Sequence, residues 1–164
     1  VLENLLGTPP PPPPPNVPSL VDKNKEGKIL SVRQRMEQHR ATPACATCHS
    51  RMDPLGFALE NFDGLGKWRT MDSGTAIEPS GVLPDGTKFE GPMGLKKVML
   101  TKQDEFTHTF TEKLMIYATG RGLDYTDQPM LRQILRDAAA DNYRWSSVML
   151  AVAKSAPFQM RTAR

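Results

Sequence analysis

Apolar and polar positions alternate along this chain with helical spacing at both ends and with shorter, strand-like runs in the middle. Val1 to Leu6 reads as the end of a helix, closed by Gly7-Thr8. From Gly27 to His39 the residues Ile29, Val32 and Met36 fall on one stripe, with Arg33, Arg35, Glu37 and Gln38 off it. That spacing predicts a helix, stopped by Thr42-Pro43 because proline disfavours a helical residue before it. Asp53-Pro54 has the form of a helix start, an aspartate cap followed by proline in the first turn. Phe57, Ala58, Asn61 and Phe62 would continue a short helix as far as Gly64 and Gly66. Trp68 to Glu90 reads as extended segments and turns. Pro84-Asp85-Gly86 lies between Val82-Leu83 and Lys88-Phe89, which predicts a small hairpin.

The last third is helical throughout. Leu95, Val98 and Met99 mark a short helix. Phe106, Phe110, Leu114 and Tyr117 mark a longer one closed by Gly120. Leu131, Ile134, Leu135 and Ala138 mark another, and Val148, Met149 and Val152 a last one ending before Pro157. His108, between Phe106 and Phe110, is expected to face solvent. There is no internal repeat.

Between the first helical segment and the second lies a run of seven prolines, Pro9 to Pro15. Such a run favours polyproline II, a semi-rigid spacer of about 3 Å per residue. A ligand for a proline-binding domain is the alternative use. Residues 1–28 therefore read as the end of a preceding region plus a spacer, and residues 29–164 as the principal domain. Val1 is not an initiator and no basic-then-apolar leader follows it, so the chain is expected to start at a cut site or to be a piece of a longer protein.

Composition excludes more than it selects. The formal charge of +3 is spread along 164 residues, with no basic block suited to nucleic acid. No stretch approaches the roughly 20 apolar residues of a membrane-spanning helix. The hydrophobic fraction of 38% makes a modest core, which a large apolar cofactor would supplement.

The chemistry concentrates in Cys45-Ala46-Thr47-Cys48-His49. Both cysteines of the chain lie there, too few for a disulfide framework. Cys-x-x-Cys sets two thiols about one helical turn apart, able to reach two vinyl groups on one side of a porphyrin. The adjacent imidazole then points at the iron. Cys-x-x-Cys-His is the attachment signature of haem c, and imidazole is a common axial ligand. Cys45, Cys48 and His49 are thus the haem-binding residues, with His49 the proximal ligand. A thioredoxin-like pair would need a strand before the motif and a βαβ frame. A zinc site would need Cys45, Cys48 and His49 with His39 or His108, and adjacent Cys48-His49 ligands fit a closed tetrahedron poorly.

Four residues compete for the sixth iron position: His39, six residues before Cys45; Met93, in Glu90-Gly91-Pro92-Met93-Gly94, read as a constrained loop; Met52; and Met160. With nine methionines in the chain, each is also an ordinary packing residue, and His39 is also suited to a helix C-terminus. Trp68 and Arg69 are candidate propionate partners, since an arginine fork matches a carboxylate; Arg121 is another. Asp63, Asp85 and Glu60 form no pattern that points to acid–base catalysis.

Several strings together resemble one family. They are His39-Arg40, Cys45–His49, the run Met52-Asp53-Pro54-Leu55-Gly56-Phe57-Ala58-Leu59-Glu60-Asn61-Phe62-Asp63, Gly66-Lys67-Trp68-Arg69, Leu83-Pro84-Asp85-Gly86, Tyr117-Ala118-Thr119-Gly120-Arg121-Gly122-Leu123 and Ser155-Ala156-Pro157-Phe158-Gln159-Met160-Arg161. With Val1–Thr8 and the prolines they resemble the paired DUF1588 and DUF1585 domains at the C-terminus of large planctomycete-type secreted proteins. The resemblance implies a bacterial, periplasmic or extracellular haem c domain joined to other domains upstream. It carries a histidine at His39, which implies His39 as the distal ligand. It also implies that the Asp-Pro-Leu-Gly segment packs on the proximal side, where a backbone carbonyl would accept from the His49 ring N–H.

The resulting expectation is a mainly α, cytochrome c-like helical domain around one covalent haem, with a small β-hairpin. Its role would be electron transfer to or from a fused domain or a redox partner protein. The alternative is a haem enzyme, peroxidase- or oxidase-like, with an open distal site; gas sensing is a third.

Overall fold

The computed structural model describes residues 1–160; Arg161, the last residue of the C-terminal string, lies outside them. The fold is mainly α, with two small two-stranded antiparallel sheets. The chain forms two compact units, Pro10–Thr101 and Val1–Pro9 with the chain from Lys102 onward.

The first unit opens with the exposed proline run and an isolated bridge between Lys23 and Ile29. Helix α2 (Val32–His39) starts at Ser31, whose side chain accepts from Gln34 N while Gln34 accepts from Ser31 N, a reciprocal capping box. It starts later than the apolar stripe predicts. Ile29 lies outside it, 56% exposed, and α2 buries no residue fully. (The short helix α1, Leu2–Leu6, belongs to the other unit.) Helix α3 (Pro43–Phe57) begins with Pro43 in its first turn and runs through Asp53-Pro54. The expected helix start at Asp53 is therefore wrong. Pro54 removes the bond its N–H would have made to the Ser50 carbonyl and crowds that carbonyl with its ring, and the buried face of Asp53, Pro54, Leu55 and Phe57 holds the helix together past it.

After α3 the chain makes a tight loop instead of the expected helical continuation. Asp63 Oδ1 accepts from Leu65 N and Lys67 N, both at 2.9 Å, and Gly66 takes the left-handed conformation with φ 80°. Buried Asn61 closes the loop: its Nδ2 donates to Arg69 O at 2.9 Å and Arg69 N donates to Asn61 O at 2.7 Å. Strands β1 (Met71–Asp72) and β2 (Thr75–Ala76) pair across Ser73-Gly74, both at positive φ. Strands β3 (Ser80–Val82) and β4 (Lys88–Glu90) form the expected hairpin around Pro84-Asp85-Gly86. Gly81 lies against α3: a Cβ there would meet Phe89 Cζ at 2.7 Å and the Pro54 carbonyl oxygen at 2.8 Å. Helix α4 (Gly91–Thr101) buries Leu95 and Val98.

The second unit is a helical cluster. Helix α5 (Gln103–Thr119) ends at Gly120, φ 68°, as expected. Its inward residues are Thr109, Thr111 and Met115, while Tyr117 is 86% exposed, so the predicted aromatic stripe does not define the buried face. His108 is half-buried. Helix α6 (Gln128–Ala139) buries Leu131, Ile134 and Ala138, and α7 (Trp145–Lys154) buries Val148 and Val152. Helix α1 packs on α5, and α8 (Ala156–Gln159) on α7 and α5. Gly7, φ 62°, leaves α1 where a Cβ would sit 2.5 Å from Thr109 Oγ1.

Candidate haem-attachment site

Cys45, Cys48 and His49 all lie on α3. At 100° per residue they fall within about 100° of arc, so both thiols and the imidazole share one face. The cysteines are half-buried free thiols. His49 is turned by its neighbour one turn on: its Nδ1 stands 2.8 Å from Asp53 Oδ1, within the same helix. The Asp53 side chain is only 4% exposed and that of His49 16%. A carboxylate accepts, so Nδ1 carries the proton and Nε2 is the nitrogen left with a lone pair. The acceptor is thus a side chain rather than the expected backbone carbonyl. The sequence did carry a signal for it, the i,i+4 spacing of His49 and Asp53, masked by reading Asp53-Pro54 as a cap.

Helix α2 delivers a second imidazole to the same place. The His39 and His49 rings meet edge to face, centroids 4.7 Å apart and planes at 70°. Three contacts fix α2 for this. Val32 N donates to Asp72 Oδ2 at 2.7 Å, Arg33 donates to the carbonyls of Glu78 and Ser80, and Arg35 pairs with Asp22 at 3.0 Å. Arg33 also covers the Phe57 ring of α3, its guanidinium carbon 4.0 Å from the centroid, a cation–π contact that ties the two helices.

The other candidates lie elsewhere. Met93 is not in a loop: it occupies the first turn of α4 and is 66% exposed. Met52 is half-buried on α3, and Met160 is 76% exposed just after α8. Trp68 packs edge to face on Phe62 at 5.2 Å, an exposed aromatic pair. Arg69 is already engaged, its Nε on Glu60 O at 3.0 Å and its fork near Glu60 Oε1 and Asp72 Oδ1 at 3.4 and 3.3 Å. Burial, then Asp72, raise the carboxyl of Glu60 above its usual range, against the opposing pull of Arg69. A propionate at Arg69 would compete with both carboxylates. Arg121, in the second unit, forks onto buried Asp127 at 2.6 and 2.8 Å, which holds that carboxyl below its usual range.

The donor set fits a covalently attached haem: two thiols and an imidazole on one helical face, the imidazole oriented by a buried carboxylate. Two imidazoles sharing one metal, each nitrogen about 2 Å from it, hold their centroids roughly 6 Å apart. His39 would therefore move outward by roughly 1–2 Å to share an iron with His49. The competing arrangements find less. Among the described residues no three His, Cys, Asp or Glu side chains gather as a metal cluster. The thiols follow a helix, and the described strands pair only antiparallel, so the βαβ frame of a thioredoxin-like pair is not there. No helix of the described residues is long and apolar enough to cross a membrane.

No curated protein and no solved structure matches the chain significantly. Two protein families do. Residues 1–72, which contain Cys45–His49, His39 and the Trp68-Arg69 loop, match the family described as a protein of unknown function, DUF1588. Residues 85–158, from the hairpin turn to α8, match a second protein of unknown function, DUF1585. The chain therefore carries a segment matching DUF1588 followed by a segment matching DUF1585.

Proposed function

We propose that this chain is a c-type cytochrome in which Cys45 and Cys48 hold one haem through thioether bonds and His49 binds the iron on the proximal side. The haem, when bound, supplies a one-electron change at iron. The chain's residues do the rest: α3 sets the two sulfurs and the imidazole on one face, Asp53 fixes the ring of His49, and α2 brings His39 to the distal side. On this reading the domain has a cytochrome c-like arrangement around Pro10–Thr101, with the helices from Lys102 onward as a companion unit.

Electron transfer is the role the site supports best, and one observation carries it. A second imidazole already lies in contact with the proximal one, 4.7 Å between centroids. With His49 and His39 both holding the iron, the pair would favour electron transfer over substrate binding there. The proposal places the domain outside the cytoplasm of a bacterium, exchanging electrons with fused upstream domains or a redox partner protein. The proline spacer, by stiffening a tether, would raise the effective concentration at one partner.

Absorption spectra of the oxidised and reduced protein, with and without carbon monoxide, test this. Low-spin spectra indifferent to carbon monoxide are expected, and His39→Ala should convert the ferric form to high spin. A high-spin wild-type ferric form, or ready carbon monoxide binding by the ferrous protein, would instead favour a haem enzyme. A thioether-to-iron charge-transfer band in the near infrared would replace His39 with a methionine.

A further inference from the structure

We propose that Asp53 is a positioning residue that holds His49 as an electron-rich ligand and thereby lowers the reduction potential of the haem. This rests on the haem reading above. Asp53 has a shape and a cost that packing alone does not explain. Its side chain is 4% exposed. One oxygen takes the His49 Nδ1 proton at 2.8 Å, and the other, Oδ2, is buried with no hydrogen-bond partner. Its helix neighbours Pro54, Leu55 and Phe57 are buried too. A carboxylate carried into such surroundings on a single hydrogen bond is expensive unless a positive charge compensates it. The one partner it has is an imidazole whose far nitrogen is free to bind a metal. A cation on that nitrogen would draw density through the ring and strengthen the Nδ1–H···Oδ1 bond, supplying the missing compensation.

The direction of the effect follows from charge. The oxidised centre carries one more positive charge than the reduced one. A carboxylate fixed one imidazole away, in a poorly screened interior, stabilises the oxidised form more. A backbone carbonyl in the same place would orient the ring without that bias. The reduction itself adds one electron to the iron from a partner and makes or breaks no bond at Asp53.

The test is Asp53→Asn in the haem-loaded full chain, since asparagine keeps the shape and removes the charge. Haem mass and the low-spin spectrum are expected to persist. The preference for the oxidised state is expected to fall tenfold or more, which raises the midpoint by about 59 mV or more for a one-electron couple. An unchanged midpoint with haem attached would overturn the proposal. If the variant does not mature, the readout moves to His39→Ala with Asp53 intact: the iron–imidazole stretching band of the ferrous form after photolysis of carbon monoxide. It is expected at higher frequency than in a haem peptide of residues 43–50, which lacks the carboxylate; equal frequencies would overturn the proposal. A wild-type chain that carries no haem at all would instead overturn the reading on which it rests.

Discussion

The two units of this protein are built in different ways. In the unit from Lys102 onward, Met115, Leu131, Ile134 and Val152 form a continuous apolar cluster, with Leu114, Ala118, Leu123 and Met130 packed on it. Pro10–Thr101 buries Leu30, Leu55, Phe57, Ala58, Phe89, Leu95 and Val98, but leaves Phe62, Leu65, Trp68, Met71 and Met93 exposed. Its elements are tied by polar devices: the Ser31 capping box, Asp72 on the start of α2, Arg33 on two carbonyls and on the Phe57 ring, and Asn61 and Asp63 inside one loop. Pro10–Thr101 is also the unit that carries both thiols and both converging imidazoles.

The sharpest way to break this comparison is to remove the attachment. Cys45→Ala with Cys48→Ala should cost Pro10–Thr101 about 4 kcal/mol or more, the scale of a tightly held ligand. Hydrogen exchange resolved by segment should show protection falling there and persisting in α5, α6 and α7. Equal losses in both units would end the distinction. Next in size, Leu131→Ala should destabilise the C-terminal unit by about 2–5 kcal/mol through a core cavity, with the haem spectrum unaltered.

Gly81→Ala probes Pro10–Thr101 without touching Cys45, Cys48, His49 or His39. Its new methyl would press on Phe89 and on the Pro54 carbonyl, and overpacking of this kind costs about 1–3 kcal/mol. Thermal unfolding of the variant should start at lower temperature; an unchanged midpoint would mean that β3 lies farther from α3. The smallest effect concerns Arg121 and Asp127. The arginine fork lowers the carboxyl of Asp127 in the folded state. Its stabilisation is then complete above the ordinary aspartate range near pH 4 and lost as pH falls through the lower folded value. Arg121→Gln should lower stability slightly at neutral pH and flatten that part of the acid unfolding curve.

Local signals in the sequence carried much of this structure. The helices of the C-terminal unit, the β3–β4 hairpin and the left-handed caps at Gly7 and Gly120 follow from apolar spacing and turn residues. That Cys45, Cys48 and His49 share one helical face follows from their spacing once the segment is a helix. What failed were readings in which tertiary contacts override a local rule. Asp53-Pro54 has the form of a helix start, yet burial of Asp53, Pro54, Leu55 and Phe57 carries α3 through it, and Asp53 contacts His49 instead. Met93 has glycine and proline around it, yet Leu95 and Val98 draw the segment into α4. Tyr117 shares a helical spacing with Phe106, Phe110 and Leu114, yet Thr109, Thr111 and Met115 face the core. The meeting of His39 with His49 depends on how Asp72, Glu78 and Ser80 pin α2, partners about 40 residues away from it, which no local spacing reports.

The central claim is that this chain carries a haem on two thioether bonds. The intact mass of the denatured protein, produced in a host that matures c-type cytochromes, tests it most directly. The expected result is the polypeptide mass plus one haem, with the haem recovered on the peptide that contains Cys45 and Cys48. A bare polypeptide with two free thiols, from material in which other c-type cytochromes mature normally, would contradict it.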